Sequence, residues 1–457
     1  MAGLPEAGWR HRRYHWTPVP TLRPFRALRY DPAVIGGLAD VISPPYDVIS
    51  PEQQARLVSR HPRNSVLLDL PPARPGDGPD DRYQRAAAAF VAWRTDGTLR
   101  KDLTPSLYVY EQVYRLPGVT GPRVQRGFFA RLTLEPFGPG SGILPHERTL
   151  GGPRADRLAL LLATGANLSP VVGLYTSPHA ESGPLLDAMV AREADEDVVD
   201  DDGVRHRLWV VAAGARGDGG AVDRLIALAE VGPIVIADGH HRYATALEYR
   251  DQRGARRACT EDPPYETILT LLFDLAATEM TVLPTHRVVA GEPTGEALLA
   301  ELGRSFEVEA VGSADALAAA WAPMAPGGVG PAGPRIGVWS GGRSAILRPR
   351  PGALDAAFAA QASPATRSLG ASVLEIALSA VYRLDRAAIA WGERLTYVKG
   401  VSAAIAAADG TGSAFLLDPT SAADVVRVAC AGELMPQKST YFSPKPATGL
   451  LFAPGEW

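Results

Sequence analysis

Apolar and polar positions along this chain follow two periods. Strand-like runs occur at Ser65–Leu70, Leu107–Tyr114, Gly127–Leu134, Leu208–Ala212, Ile234–Ala237 and Phe415–Leu417, with another at Gly449–Phe452. A loop rich in Pro and Gly joins the second of these runs to the third, which predicts a hairpin. Helical spacing covers Arg82–Thr95, Arg154–Ala163, Arg242–Arg250, Ala314–Trp321, Ser372–Tyr382 and Ala422–Ala431. In Arg82–Thr95 an alanine run favours the helix, and Phe90 and Trp93 share one face. Strands alternate with helices, but several strand pairs read as hairpins. That predicts an α+β fold rather than a doubly wound parallel sheet. Breaks rich in Pro or Gly fall at Pro71–Asp81, Gly214–Gly220 and Ala322–Pro334.

Composition narrows the class. The chain has 457 residues, 46% hydrophobic and 21% charged, enough for two or three buried cores. Its net charge of −4 argues against a nucleic-acid-binding protein. The two cysteines, Cys259 and Cys430, stand in no metal-ligand spacing, which argues against a disulfide framework and a zinc–thiolate site. Met1–Arg13 lacks an apolar core, and no apolar run reaches membrane-spanning length, so a cytoplasmic protein without membrane contact is expected. A homo-oligomer is compatible with the sequence, which does not specify the assembly.

The sharpest segment is Pro233–Leu247, PIVIADGHHRYATAL. Ile234–Ile236 predict a buried strand, and Asp238-Gly239 a tight turn. His240, His241 and Arg242 then occupy the first turn of a helix. Free N–H groups, the positive end of the helix dipole and a guanidinium converge there, which suits a phosphate. Gly239 permits close approach of the backbone. Asp238 has the wrong charge for phosphate, but could hold Mg²⁺ between phosphate oxygens. The plainer reading makes Asp238 a helix cap and the histidines surface residues.

Two further segments carry chemistry. In LPHERTL (Leu144–Leu150), Glu147 in a loop could take the proton of an attacking hydroxyl. From that segment alone a solvated surface acid is the better reading. In PQKSTYFSPK (Pro436–Lys445), lysines among hydroxyl residues could clamp phosphate or a carboxylate. A polar surface loop explains that segment equally well.

Together with VISPPYDVIS near the start, these segments resemble a widespread bacterial family of long uncharacterised proteins. That family in turn resembles the free-serine kinases of the ParB/sulfiredoxin-like superfamily. The likeness to the bacterial family spans Thr17 to Phe452; the likeness to the kinases covers the middle and the end. It implies a ParB/sulfiredoxin-like nucleotide-binding core with additional N-terminal and inserted α/β regions. The implied division is 1–136 for the N-terminal region, 137–290 for the core, 291–400 for the insertion and 401–457 for a segment completing the core. By resemblance, Glu147 beside His146 is the catalytic base. Asp238, Gly239, His240, His241 and Arg242 bind nucleotide phosphates and metal. Lys438, Ser439 and Thr440 assist with phosphate. The expected activity is phosphoryl transfer from ATP or ADP, with Mg²⁺, to a small hydroxylated metabolite, free L-serine first. Where the kinase pattern continues with Arg, this chain has Tyr441.

The remaining segments have structural readings. SPPYDVIS predicts an extended turn between strand-like Val41-Ile42 and Val48-Ile49, with Tyr46 and Asp47 in the turn; the lesser reading has them reach the active site. Arg154, Asp156 and Arg157 read as surface charges at a helix start. Asn167 and Ser169 read as turn residues. Two rival functions are a metal-dependent hydrolase, using His146, Glu147, Asp238, His240 and His241 as ligands, and a non-catalytic nucleotide-binding switch. Against the first, no H-x-x-x-H pair falls on a predicted helix. No GxxxxGK[ST] motif and no G-x-G-x-x-G-x-V kinase loop occurs either.

Overall fold

The computed structural model describes residues 19–138, 140–147, 151–214, 220–254, 263–321, 333–384, 394–410 and 412–455, without the side chains of 151–153. Met1–Arg13, Cys259, and most of Gly214–Gly220 and Ala322–Pro334 therefore lie outside the described residues.

Alternation of side chains builds the larger sheet. Its strands are β1 (Leu22–Arg23), β2 (Ser106–Tyr114), β3 (Arg123–Thr133), β4 (Ile143–Pro145), β5 (Val171–Tyr175), β6 (Glu196–Val199), β7 (Arg205–Ala212), β8 (Ile234–Asp238) and β9 (Thr267–Asp274). They lie in the order β4-β8-β5-β9-β3-β2-β7-β6, with β1 also on β3. Only β8–β4 and β9–β5 are parallel within it. Tyr108, Tyr110, Leu174, Val235 and Leu271 enter the core on one face. Their neighbours Leu107, Val109, Tyr175, Ile234 and Leu272 enter the core on the other. A sheet buried on both faces explains why β8 reads as a continuous apolar run.

Helices α1 (Pro51–Arg60), α2 (Asp81–Thr95), α3 (Gly151–Thr164) and α4 (His240–Gly254) flank this unit. In α2, Tyr83, Ala86, Phe90 and Trp93 are buried at helical spacing. Full burial of one such side chain contributes roughly 1.5–3 kcal/mol. A short pair follows β9: β10 (Thr281–Leu283) joins a late strand, Tyr441–Ser443, antiparallel.

The second sheet comprises β11 (His286–Ala290), β12 (Phe306–Ala310), β13 (Ile336–Ser340), β14 (Arg343–Pro349), β15 (Leu395–Val398) and β16 (Gly412–Leu417), in the order β12-β14-β13-β16-β11-β15. It has its own cores, one of which includes α5 (Gly370–Tyr382). After it the chain returns to the first unit. Val425, Val428 and Ala429 of α6 (Ala422–Cys430) join that unit's core. The late strand Tyr441–Ser443, β17, completes the pair with β10.

Mixed α/β architecture matches the expectation, and the predicted helices and the hairpin Leu107–Tyr114/Gly127–Leu134 are present. The divisions differ. β1, β2 and β3 belong to the same sheet as the Asp238 strand, so the N-terminal region is part of the core. Strands β11 and β16 put Arg287 and Phe415 in the second sheet, on the far side of the divisions expected at 290/291 and 400/401.

Three local readings also change. Val66–Asp69 is a helical turn rather than a strand, because Asn64 Oδ1 accepts the Val66 N–H at 3.0 Å and Ser65 O accepts that of Asp69 at 3.0 Å. Val41 ends a helical turn, and Val48 lies in a 3₁₀ turn. Gly449 has φ 102° and cannot extend a strand, so the segment bends there; Phe452 then forms an antiparallel bridge with Leu28, and Ala453–Pro454 pair with Ala166–Asn167. Among the described residues, no helix is long and apolar enough to cross a membrane.

Candidate active site

β4 and β8 run parallel and side by side, which brings the residues that follow each strand together. After β4 come His146 and Glu147; after β8 come Gly239 and the start of α4. His146 is buried, and its Nδ1 lies 2.6 Å from the Ile236 carbonyl. A carbonyl only accepts, so Nδ1 carries the proton. His146 Nε2 is then the acceptor for the Thr440 hydroxyl at 3.0 Å. The His146 backbone N–H donates to His240 Nε2 at 3.3 Å, and the two rings meet edge-on with centroids 4.6 Å apart. Burial lowers the pKa of His146 to about 4. It holds His240 well below the ordinary histidine value, with the positive form of His146 adding to the effect.

Gly239 adopts φ 89°, a left-handed conformation that L side chains disfavour. A Cβ there would stand 3.1 Å from Arg242 Nε. That nitrogen is buried and has no hydrogen-bond partner among the described residues. Arg242 otherwise reaches Asp238 Oδ2 at 3.0 Å and the Pro170 carbonyl. Gly239 lets the Arg242 guanidinium lie against the backbone, and that charge beside the helix N–H groups makes a cradle that fits an anionic oxygen at the start of α4.

Lys445 completes the charge arrangement. Its Nζ lies 2.7 Å from Asp238 Oδ1 and 4.0 Å from Asp47 Oδ2. Asp238 is desolvated, but the charges of Lys445 and Arg242 outweigh this and depress its pKa. Both Asp238 oxygens thus face protein cations. Among the described residues, no group of three or more His, Cys, Asp or Glu side chains could hold a metal ion. The arrangement does not fit a protein-held Mg²⁺ at Asp238. It fits a site in which lysine and arginine supply the positive charge.

Glu147 is half-buried, and its backbone pairs with Met435. Burial raises its carboxyl pKa; the Lys438 ammonium and a hydrogen bond from the Lys438 backbone oppose the rise, Asp238 reinforces it, and Arg287 opposes it. Lys438 is exposed, with φ 54°. His241 is half-buried, and its pKa is lowered by burial and by the charges of Lys438 and Arg242. Ser439 is turned away: it is buried, and its hydroxyl donates to the Pro436 carbonyl at 2.5 Å.

For several neighbours the structural reading was the leading one in the sequence. Arg157 is buried, pairs with Asp69 at 3.3 Å and Asp156 at 2.6 Å, and lies 4.0 Å from the Tyr46 ring centroid. It is not a surface charge. Arg242 lies 5.9 Å from the same ring. The SPPYDVIS turn thus delivers Tyr46 beneath two guanidinium groups and Asp47 beside Lys445. Arg287, buried on β11, donates to the Gln437 carbonyl at 3.2 Å. Lys399, just after β15, places its ammonium 3.7 Å from the Tyr441 ring centroid. The signal for Tyr46 and Asp47 lay in the Pro-Pro-Tyr-Asp run; nothing local marked Arg287 or Lys399.

Comparison with known proteins gives one family. The model described as "Protein of unknown function (DUF1015)" matches residues 22–369. No curated protein matches. Among solved structures, a free serine kinase in complex with AMP is 11% identical, with 66% of this chain and 83% of that chain covered at a TM-score of 0.32. SbnI with a C-terminal truncation, from Staphylococcus aureus, is 11% identical, with 67% and 82% covered at 0.32. A conserved hypothetical protein from Pyrococcus furiosus is 12% identical, with 67% and 88% covered at 0.31.

Proposed function

This chain belongs to the DUF1015 family, and we propose that it is a nucleotide-dependent phosphotransferase acting on the hydroxyl of a small molecule, with free L-serine the first acceptor to test. The observation that carries the reading is the meeting of three distant segments. His146 is 94 residues from His240 and 294 from Thr440, yet bonds to both. That meeting sets an acid of raised pKa beside an anion cradle. The motif resemblance to free-serine kinases supports the same reading.

The nucleotide, ATP or ADP, binds with its phosphates at the start of α4. Backbone N–H groups, Arg242 Nε, Lys438 and Lys445 face the phosphate oxygens. Glu147 accepts the proton of the attacking hydroxyl. The acceptor oxygen bonds to the terminal phosphorus as the bridging P–O bond breaks, and the shortened nucleotide leaves. Positioning and fixed positive charge carry the rate.

The test is phosphoryl transfer from ATP and from ADP to L-serine and a panel of hydroxylated metabolites. Product formation that falls by ~10²–10⁴ in Glu147→Gln is expected for loss of a general base. Nucleotide binding that Arg242→Ala abolishes, with no product from any acceptor, would instead make the protein a nucleotide-binding switch.

A further inference from the structure

The second sheet meets the candidate active site along one edge. β15 is its outermost strand on that side and pairs with β11, setting Tyr397 opposite Arg287. The Arg287 guanidinium lies 5.4 Å from the Tyr397 ring centroid and donates to the Gln437 carbonyl at 3.2 Å. That bond fastens the sheet to the loop that carries Lys438 and Thr440. Burial raises the pKa of the Tyr397 hydroxyl; Arg287 opposes the rise and Glu147 adds to it, so this edge feels the charge of the proposed base. Just beyond the end of β15, Lys399 sets its ammonium 3.7 Å from the Tyr441 ring centroid. Lys445 Nζ lies 5.1 Å from the same centroid. One ring thus gathers two ammonium groups, and it directly follows Thr440, the hydroxyl partner of His146.

The two lysines differ in what they can still offer. Lys445 is largely buried and answered by Asp238 at 2.7 Å. Lys399 is exposed, and among the described residues no carboxylate pairs with it. Contact with a ring face orients an ammonium without using its N–H donors on an acceptor oxygen. We propose that Lys399 is a ligand-binding residue which the second sheet supplies to this site, and that its ammonium takes an anionic oxygen of the bound ligand, either a nucleotide phosphate or the acceptor's carboxylate. The identity of the ligand rests on the phosphotransferase reading; the placement of the lysine does not. The site is then incomplete without the second sheet, which gives that sheet a role in binding.

The test is calorimetric titration of the full chain, as wild type, Lys399→Met and Lys399→Arg, with ADP, inorganic pyrophosphate, L-serine and L-serinamide. Lys399→Met should weaken binding of ADP and pyrophosphate, or of L-serine but not L-serinamide, by about five- to tenfold, and Lys399→Arg should restore it. The first pattern assigns the ammonium to phosphate, the second to carboxylate. The loss should shrink as salt is raised, which lost packing on Tyr441 would not do. The midpoint of thermal unfolding should stay at the wild-type value. No binding of any probe by the wild type, affinities untouched by Lys399→Met, an equal loss for all four probes, or a loss that Lys399→Arg shares overturns the proposal. Phosphoryl transfer assayed on the same proteins separates the two readings. A selective, salt-sensitive loss of affinity in a chain that phosphorylates no acceptor keeps Lys399 and removes the phosphotransferase; transfer and affinities both unchanged in Lys399→Met do the reverse.

Discussion

Lys445 and Asp238 form an ion pair of 2.7 Å between side chains 10% and 18% exposed, and the 206 positions between them hold the entire second sheet. The chain leaves the first unit after β9, builds the second sheet and returns to set a cation on the acid that ends β8. The pair therefore couples closure of the fold to charge balance at the site. Lys445→Met leaves Asp238 with Arg242 alone. Loss of one partner from a largely buried charge costs about 1–3 kcal/mol. We expect a loss of that order in urea denaturation at neutral pH, with weaker nucleotide binding. Lys445→Met combined with Asp238→Asn should recover part of the stability. An additive double variant would show that the pair is not coupled.

Glu147 supplies a prediction in which activity and stability move in opposite directions. Burial lifts its folded pKa above the unfolded value. Between the two values the folded state holds a proton that the unfolded state releases, so stability falls as pH rises through that window. At neutral pH the ionised form is destabilising. Glu147→Gln should abolish transfer yet raise the midpoint of thermal unfolding at pH 7. The acid limb of the wild-type rate profile should lie above the ordinary glutamate value, since only the ionised form accepts a proton. A variant equally inactive but less stable would assign Glu147 a structural role.

Arg157 and Asp69 form a second buried pair, 88 residues apart in sequence. Burial raises the pKa of Asp69, and Arg157 opposes the rise. The guanidinium also covers Tyr46, whose pKa burial raises to about 12. Arg157→Met keeps the apolar stem and removes the charge. It should cost about 3–5 kcal/mol in denaturant unfolding. Nucleotide affinity should weaken as well, because Tyr46 also lies against Arg242. Full stability in Arg157→Met would show that Asp69 is protonated and carries no charge to balance.

The legible parts of the sequence were those with local causes. The strand–turn–helix at Ile234–Arg242 followed from an apolar run, an Asp-Gly turn and a polar helix start, and it is present. The amphipathic spacing of Phe90 and Trp93 marked α2 in the same way. Residues whose roles depend on distant partners were not legible. Arg157 looked like any charge at a helix start, because nothing near it in sequence announces Asp69 or Tyr46. Lys445 read equally as a phosphate clamp and as a loop lysine, and its pairing with an acid was not legible because that partner lies 207 positions earlier. Asp238 looked like a metal ligand for the same reason: the two cations that occupy its oxygens include one from the far end of the chain. Ser65–Leu70 failed for a local reason, since the side-chain cap from Asn64 outweighed strand propensity.

The His146 imidazole offers the most direct check on the site's geometry. Its proton is fixed on Nδ1 by the Ile236 carbonyl, and its Nε2 accepts from Thr440. Protonating the ring would place a positive charge in a buried site, which is why its pKa falls to about 4 from 6.5, with the Lys445 charge adding to the effect. The sign follows from that shift. As pH drops from about 6.5 toward 4, the unfolded chain gains a proton that the folded chain refuses, so the stability His146 confers at neutral pH is lost across that window. The full effect is on the order of 3 kcal/mol. Thr440→Val leaves Nε2 without its hydrogen-bond partner, which should cost about 1–3 kcal/mol at neutral pH, while burial keeps the pKa low. Nitrogen chemical shifts of the imidazole read both tautomer and titration. A wild-type midpoint near 6.5, or a proton on Nε2 at neutral pH, would mean that His146 does not join the Glu147 loop to Thr440.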